Sequence, residues 1–268
     1  MFVKLSEAKA AIGGDVSDES AISIAAGISE SLSKACNRVF PRLVESIAIS
    51  GSRAVVTSYW HGLHPGDRIR VNTMAGGTPL DIGDVTVGPG GYSRDTFEIE
   101  TNASAFDPAI AGTITFRKVR MQVFRTRGEP SVFVPWRPLE SVLKLEVRSS
   151  SDVWEEVPAD EFAISGEHDG LSLTGEVERI GKAFPCGRDN AAVPNGARVT
   201  YVAGDPFVSP DILYATINLI AAATDRNKRA EFQSQSYDYY SYSRMSSSEI
   251  GKLFGEADRI VMEYKIPV

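Results

Sequence analysis

Ser209-Pro-Asp-Ile-Leu-Tyr-Ala-Thr-Ile-Asn-Leu-Ile-Ala-Ala-Ala-Thr-Asp-Arg-Asn-Lys-Arg229 is the stretch on which the reading of the fold turns. Ser209 can accept from the first free N–H groups of a helix. Pro210 suits the first helical position, where its missing N–H would be unpaired anyway. From Ile212 to Phe232 the chain is apolar on almost every face, so this helix must be covered by its own fold or by neighbouring chains. Tyr237-Asp-Tyr-Tyr-Ser-Tyr-Ser-Arg244 follows, and then a second helix with the capping box Ser246/Glu249 and the stripe Ile250, Leu253, Ala257, Ile260, Val261 and Tyr264. The linker is long for a helix–helix connection, and its Tyr/Ser composition is that of a contact surface.

The other end of the chain is helical too. Ser6 is placed to cap a short helix ended by Gly13-Gly14, and Ser17 or Asp18 a longer one. In the longer helix Ala21, Ala25, Ile28, Leu32, Ala35 and Val39 recur at helical spacing, with an end expected near Asn37-Arg38. Between the helical ends the pattern changes to short alternating strands. Ile69 and Val71 alternate with Arg68, Arg70 and Asn72, Phe97 with Ile99 repeats the scheme, and so does Ile114 with Phe116. Pro65-Gly66-Asp67, Gly76-Gly77 and Gly88-Pro-Gly-Gly91 punctuate them, which suggests a small β-barrel or sandwich. Further on, Val119, Met121 and Val123 alternate with Arg120 and Gln122. Leu143, Leu145 and Val147 alternate with Lys144, Glu146 and Arg148, residues 180–194 read as a long loop, and Val199–Ala203 is a last strand.

The expected class is therefore α+β. Residues 1–43 and 210–268 form a small helical bundle, 119–209 a β-rich part of the same core, and 44–118 an inserted small β-barrel or sandwich. That inserted block is expected to be removable with the rest still folded.

The sequence offers little to chemistry. His61 and His64 form a pair beside Pro65-Gly66 with no third ligand in view, so a turn leading into a strand is expected instead of a metal site. His168 in Gly-Glu-His-Asp-Gly reads as a hairpin turn, with no nucleophile elbow to supply a serine partner. Glu98 with Glu100, Glu155 with Glu156, and Asp160 with Glu161 are carboxylate neighbours read as solvated strand faces. Gly88–Gly91 lacks the lysine and helix of a phosphate loop, and Cys36 has no evident base and reads as core. No enzyme activity, cofactor or metal is expected.

Bulk properties narrow the class further. A net charge of −7 over 268 residues argues against a general nucleic-acid binder. Cys36 and Cys186 make no metal or redox spacing, which fits reduced thiols. The start Met-Phe-Val-Lys-Leu-Ser-Glu-Ala-Lys has no signal-peptide core and no run is long enough to span a bilayer, so a soluble protein made in the cytoplasm is expected.

Taken in order, several segments resemble the head–tail connector (head-completion or adaptor) family of long-tailed bacteriophages. Leu5-Ser-Glu-Ala-Lys9 with Asp18-Glu19 resembles the family's opening, and Cys36-Asn-Arg-Val-Phe40 the end of its long helix. Val132-Phe-Val-Pro-Trp-Arg-Pro-Leu-Glu-Ser-Val142 resembles its strand pair. Val199-Thr-Tyr-Val-Ala-Gly204 with Val208-Ser-Pro-Asp-Ile-Leu213 and Asp225–Arg229 resembles its closing unit. The likeness covers most of the chain outside 44–118, where Trp60–Val71 resembles small β-modules of phage structural proteins. It thins after Ala230.

The resemblance implies a virion protein, assembled in the host cytoplasm, that forms a ring of twelve copies beneath the portal protein. Such a ring extends the DNA channel and presents a surface to a downstream stopper or tail-terminator protein, while DNA passes without sequence-specific binding and no membrane is involved. An acidic chain suits such a channel, since phosphate is held by clustered Lys and Arg. Partner-binding positions expected on this reading are Trp136, Arg137 and Pro138 at a strand turn, Tyr237, Tyr239, Tyr240, Tyr242 and Arg244 in the linker, and Tyr264, Lys265, Ile266, Pro267 and Val268 at the end. Removal of Tyr264–Val268 is expected to spare the fold and weaken docking. The alternative is a glycan- or receptor-binding tail-tip protein using Tyr59, Trp60 and Tyr92 as its platform.

Overall fold

A computed structural model of the chain describes residues 1–13, 15–50, 53–74, 83–100, 113–148, 153–168, 170–186, 196–230 and 249–266. Helices α1 (Leu5–Ile12) and α2 (Asp18–Ala35) come first. Strands β1 (Arg42–Leu43), β2 (Ser46–Ser50), β3 (Arg53–Thr57), β4 (Arg68–Met74), β5 (Gly83–Thr86), β6 (Thr96–Glu100) and β7 (Thr113–Arg125) follow. After them run β8 (Ser131–Phe133), β9 (Leu139–Arg148), β10 (Glu155–Glu156), a single 3-10 turn at Ala159–Glu161, β11 (Phe162–His168), β12 (Leu171–Arg179) and β13 (Gly196–Ala203). Helices α3 (Pro210–Ala230) and α4 (Glu249–Tyr264) complete the order.

The helices start where side chains can satisfy their free N–H groups. Ser20 N donates to Ser17 Oγ at α2, and Ile212 N to Ser209 Oγ at α3. The cap of α1 is not Ser6 but Lys4, two residues earlier, and Lys4 N donates to Glu7 Oε2 at 2.8 Å. Ser246 of the expected capping box in α4 lies outside the described residues. The four helices share one apolar interior. Phe2, Leu32, Cys36 and Phe40 pack with Ile212, Ala215, Ala257 and Ile260, while Val3, Ala8, Ile12, Ala21 and Ala25 pack with Ile220. The apolar α3 is thus largely covered by its own chain, with Tyr214 left half exposed.

The β-structure is antiparallel. Strands β2, β3 and β6 form one sheet, and β1, β7, β4 and β5 lie in a second. Val44, Ala54, Val56, Leu63, Ile69, Val71, Phe97, Ile99, Ile114 and Phe116 fill the space they enclose. This is a two-sheet packing, and no closed barrel is found among the described residues. Beyond it β7, β13, β9 and β10 run side by side. Strands β8, β12 and β11 cover a second core of Val132, Leu139, Leu145, Val177, Phe184, Val199 and Tyr201.

Strand β7 belongs to both units. Its first half pairs with β4 (Ile69 opposite Lys118) and its second with β13 (Val202 opposite Val119). The seam expected between Lys118 and Val119 therefore falls inside one continuous strand. Buried ties cross the same region: Arg117 Nη1 donates to Gly204 O at 2.7 Å and pairs with Glu140, and Thr115 Oγ1 donates to Pro206 O at 2.6 Å. Tyr59, from the inserted block, packs on the helical bundle.

Candidate functional site

The residues with most to say about role lie where α2 ends. Cys36 N bonds Leu32 O, Asn37 N bonds Lys34 O, and Arg38 N reaches back to Ser33 O. Asn37 sits at φ 49°, so the helix closes with a Schellman turn in which Asn takes the left-handed position. That turn aims Arg38 into the protein. Its Nε and Nη2 donate to the two carboxylate oxygens of Asp205 at 2.6 and 2.5 Å, with both side chains largely covered. A bidentate guanidinium–carboxylate pair fixes orientation as well as distance.

Three further segments meet at this pair. Val39 N donates to Arg137 O at 2.7 Å, Asp205 N to Val39 O at 3.1 Å, and Gly204 N to Pro138 O at 2.7 Å. Gly204 has φ +105°, and a Cβ there would lie 2.9 Å from Val39 O, so only glycine fits. From the far end of the chain, Ile266 N donates to Cys36 O at 2.9 Å and Asn37 Nδ2 to Ile266 O. Tyr264 Oη bonds Asp211, and the Arg38 guanidinium lies 5.7 Å from the Tyr264 ring centre. Cys36 is fully covered, and burial pushes its thiol up to about 11, away from the thiolate form.

The expected partner residues separate on this geometry. Trp136, Arg137 and Pro138 occupy the connection between β8 and β9, as expected of a strand turn. Trp136 is 44% exposed and its ring lies 3.8 Å from the Arg120 guanidinium. Arg137 and Pro138 contribute their carbonyls to the node. Tyr264 braces the node, Lys265 is exposed, and Ile266 is only 2% exposed. Ile266 therefore faces its own core, because a lone apolar side chain beside the α2 terminus is better covered there than in water. Tyr237, Tyr239, Tyr240, Tyr242, Arg244, Pro267 and Val268 lie outside the described residues.

Other sequence candidates have structural roles. His61 Nδ1 accepts from Leu63 N, so Nε2 carries the hydrogen and faces Ser93 O at 2.8 Å; burial lowers its pKa. His64 opens the turn before β4, with its backbone N on Asp67. His168 stands at the β11–β12 hairpin. Glu98 is not solvated as expected: it is buried and paired with Arg53 at 3.3 Å. The sequence reading missed Arg198–Glu146, another bidentate pair at 2.7 and 2.5 Å, and Trp154, which has the guanidinium groups of both Arg148 and Arg198 within 4.8 Å of its ring centre. No group of three or more His, Cys, Asp or Glu residues suited to a metal ion occurs among the described residues, and no described helix is long and apolar enough to cross a membrane.

No family model matches the chain, and no curated protein matches it. Among solved structures, a chain described as "Neck of empty GTA particle computed with C6 symmetry" is similar over 57% of this chain and 67% of its own length, at 13% identity and a TM-score of 0.35.

Proposed function

We propose that this protein is a non-enzymatic structural subunit of a phage-type virion. In this reading it is a head–tail connector whose helical bundle builds a ring beneath the portal, lengthens the DNA channel and offers an attachment surface to the next neck or tail protein. One observation carries the proposal. The segments that resemble the connector family, Cys36–Phe40, Val132–Val142 and Val199–Gly204, are far apart in sequence yet meet through Val39–Arg137 and Gly204–Pro138, with Arg38–Asp205 closing the node one residue beyond the last of them. Chance likenesses scattered along a chain have no reason to share one node. The acidic net charge fits a channel that lets DNA slide.

The test is to mix the purified protein with DNA-filled capsids bearing portals and to image the vertex by electron microscopy. Added ring density below the portal is the expected result. A folded, soluble protein that adds no density overturns the role.

A second reading, a glycan- or receptor-binding module, is favoured by one feature. Trp60 stands half exposed at φ 52°, a strained position for a bulky residue, near Arg94 and on the same inserted unit as exposed Tyr92. Tyr59 is turned to the helices, which leaves two rings of the three-ring platform. Reproducible binding on a glycan array, lost in Trp60→Ala, would establish it.

A further inference from the structure

At one end of the large sheet β7, β13, β9 and β10 lie side by side, while from the other end of β9 the sheet continues into β12 and β11. The two outer edges at the first end carry opposite charge. From Val119 to Arg125, β7 pairs with β13 and with no other strand among the described residues. This stretch and its flanks hold Lys118, Arg120, Arg125 and Arg127, and the nearest acid in sequence is Glu129, whose carboxylate accepts from Arg127 N. Met121 and Val123 stand on it 64% and 55% exposed. Lys118 is held by Asp67 and Arg120 lies over Trp136, so these cations are already positioned. On the opposite side β10 pairs with β9 alone among the described residues, and it consists of Glu155 and Glu156, both exposed. Asp160 follows, and the exposed Val153 precedes. Glu156 touches Lys144 at 3.4 Å across the rim.

An open edge bearing apolar side chains is a template for another strand, and proteins normally blunt such edges. We infer that the β10 edge of one copy docks on the β7 edge of the next, so that the sheet continues from subunit to subunit. The acids meet the cations, and Val153 meets Met121 and Val123. The two edges are different surfaces on opposite sides of one layer, so the contact is heterologous. Such contacts propagate instead of ending at a dimer, and close into a ring when the rotation allows. Strand addition of this kind draws affinity from main-chain hydrogen bonds and selectivity from side chains. The inference rests on the ring-building role proposed above and names the surfaces that would build the ring.

Sedimentation velocity on the full chain at low salt, over a concentration series, tests it. The wild type is expected to form species larger than a dimer and to dissociate as salt screens the charges. M121E/V123E and E155K/E156K are each expected to weaken association about tenfold or more, and a chain carrying both sets to recover it. Circular dichroism verifies folding, and M121T/V123T probes the same edge should the glutamates unfold it. A wild type that stays monomeric to about 1 mM, a discrete dimer as the end point, or either variant associating like the wild type overturns the contact. Capsid binding is read separately. Rings of E155K/E156K at wild-type occupancy on portals would sink the edge contact and leave the connector role standing. A chain that self-associates yet ignores portals would do the reverse.

Discussion

Arg38 and Asp205 show what a single pair does in this protein. Each is largely covered, so removing one partner strands a charge in a poorly hydrated place. Asp205→Asn or Arg38→Met is expected to cost about 3 kcal/mol in urea denaturation, whereas Arg38→Met with Asp205→Leu should recover much of it. A double variant no better than the singles would show that the hydrogen bonds matter more than the uncompensated charge. Glu146 makes the corresponding pH prediction. Hydrogen bonds from Arg198 lead the causes that hold its carboxyl below the ordinary glutamate value of 4.5. A depressed carboxyl contributes stability that is complete above the unfolded-state value and lost as pH falls through the folded one. Between about pH 5 and about pH 3 the wild type should therefore lose more stability than Glu146→Gln. Parallel losses in thermal melts would refute it.

Among the elements, the end of the chain behaves differently from its sequence-based reading. Ile266 is buried and bonded to Cys36, and Tyr264 bonds Asp211, so a chain ending at Glu263 loses fold contacts and not only docking contacts. Burial of the isoleucine alone predicts a loss of about 2 kcal/mol, measurable by denaturant midpoint. An unchanged midpoint would restore the simpler picture of a free docking tail. The helices were legible in the sequence because Ser17, Ser209 and Pro210 act locally, through caps and the missing N–H. Strand β7 was not. Read as two strands, Val119, Met121 and Val123 looked like the apolar side of a new one. Read as one strand of alternating faces, Ile114 and Phe116 set the inward side, which passes through Arg120 and Gln122 to Phe124 and leaves Met121 and Val123 outside. The parity that settles the matter crosses the seam at Lys118. The node was legible only as separate motifs, since no local rule joins Arg38 to Asp205.

For the whole molecule, the shared strand and the ion pair of buried Arg117 with the partly exposed Glu140 join the inserted sandwich to the rest. Single-tryptophan chains that keep Trp60 in the sandwich or Trp154 beside the main sheet should report the same unfolding midpoint. Two midpoints would show that residues 44–118 fold alone. Glu140→Gln is the variant expected to pull the midpoints apart. The bundle also has a consequence in time. Its first two helices are separated from α3 by the whole β region. At about 5–20 residues per second a ribosome needs on the order of ten seconds to deliver the missing half. For that interval the part of the α2 stripe that α1 does not reach, Leu32 and Cys36 among it, stands uncovered. A newborn copy is then an open receptor for a chaperone, or for the α3–α4 pair of an older copy, before it can close on itself.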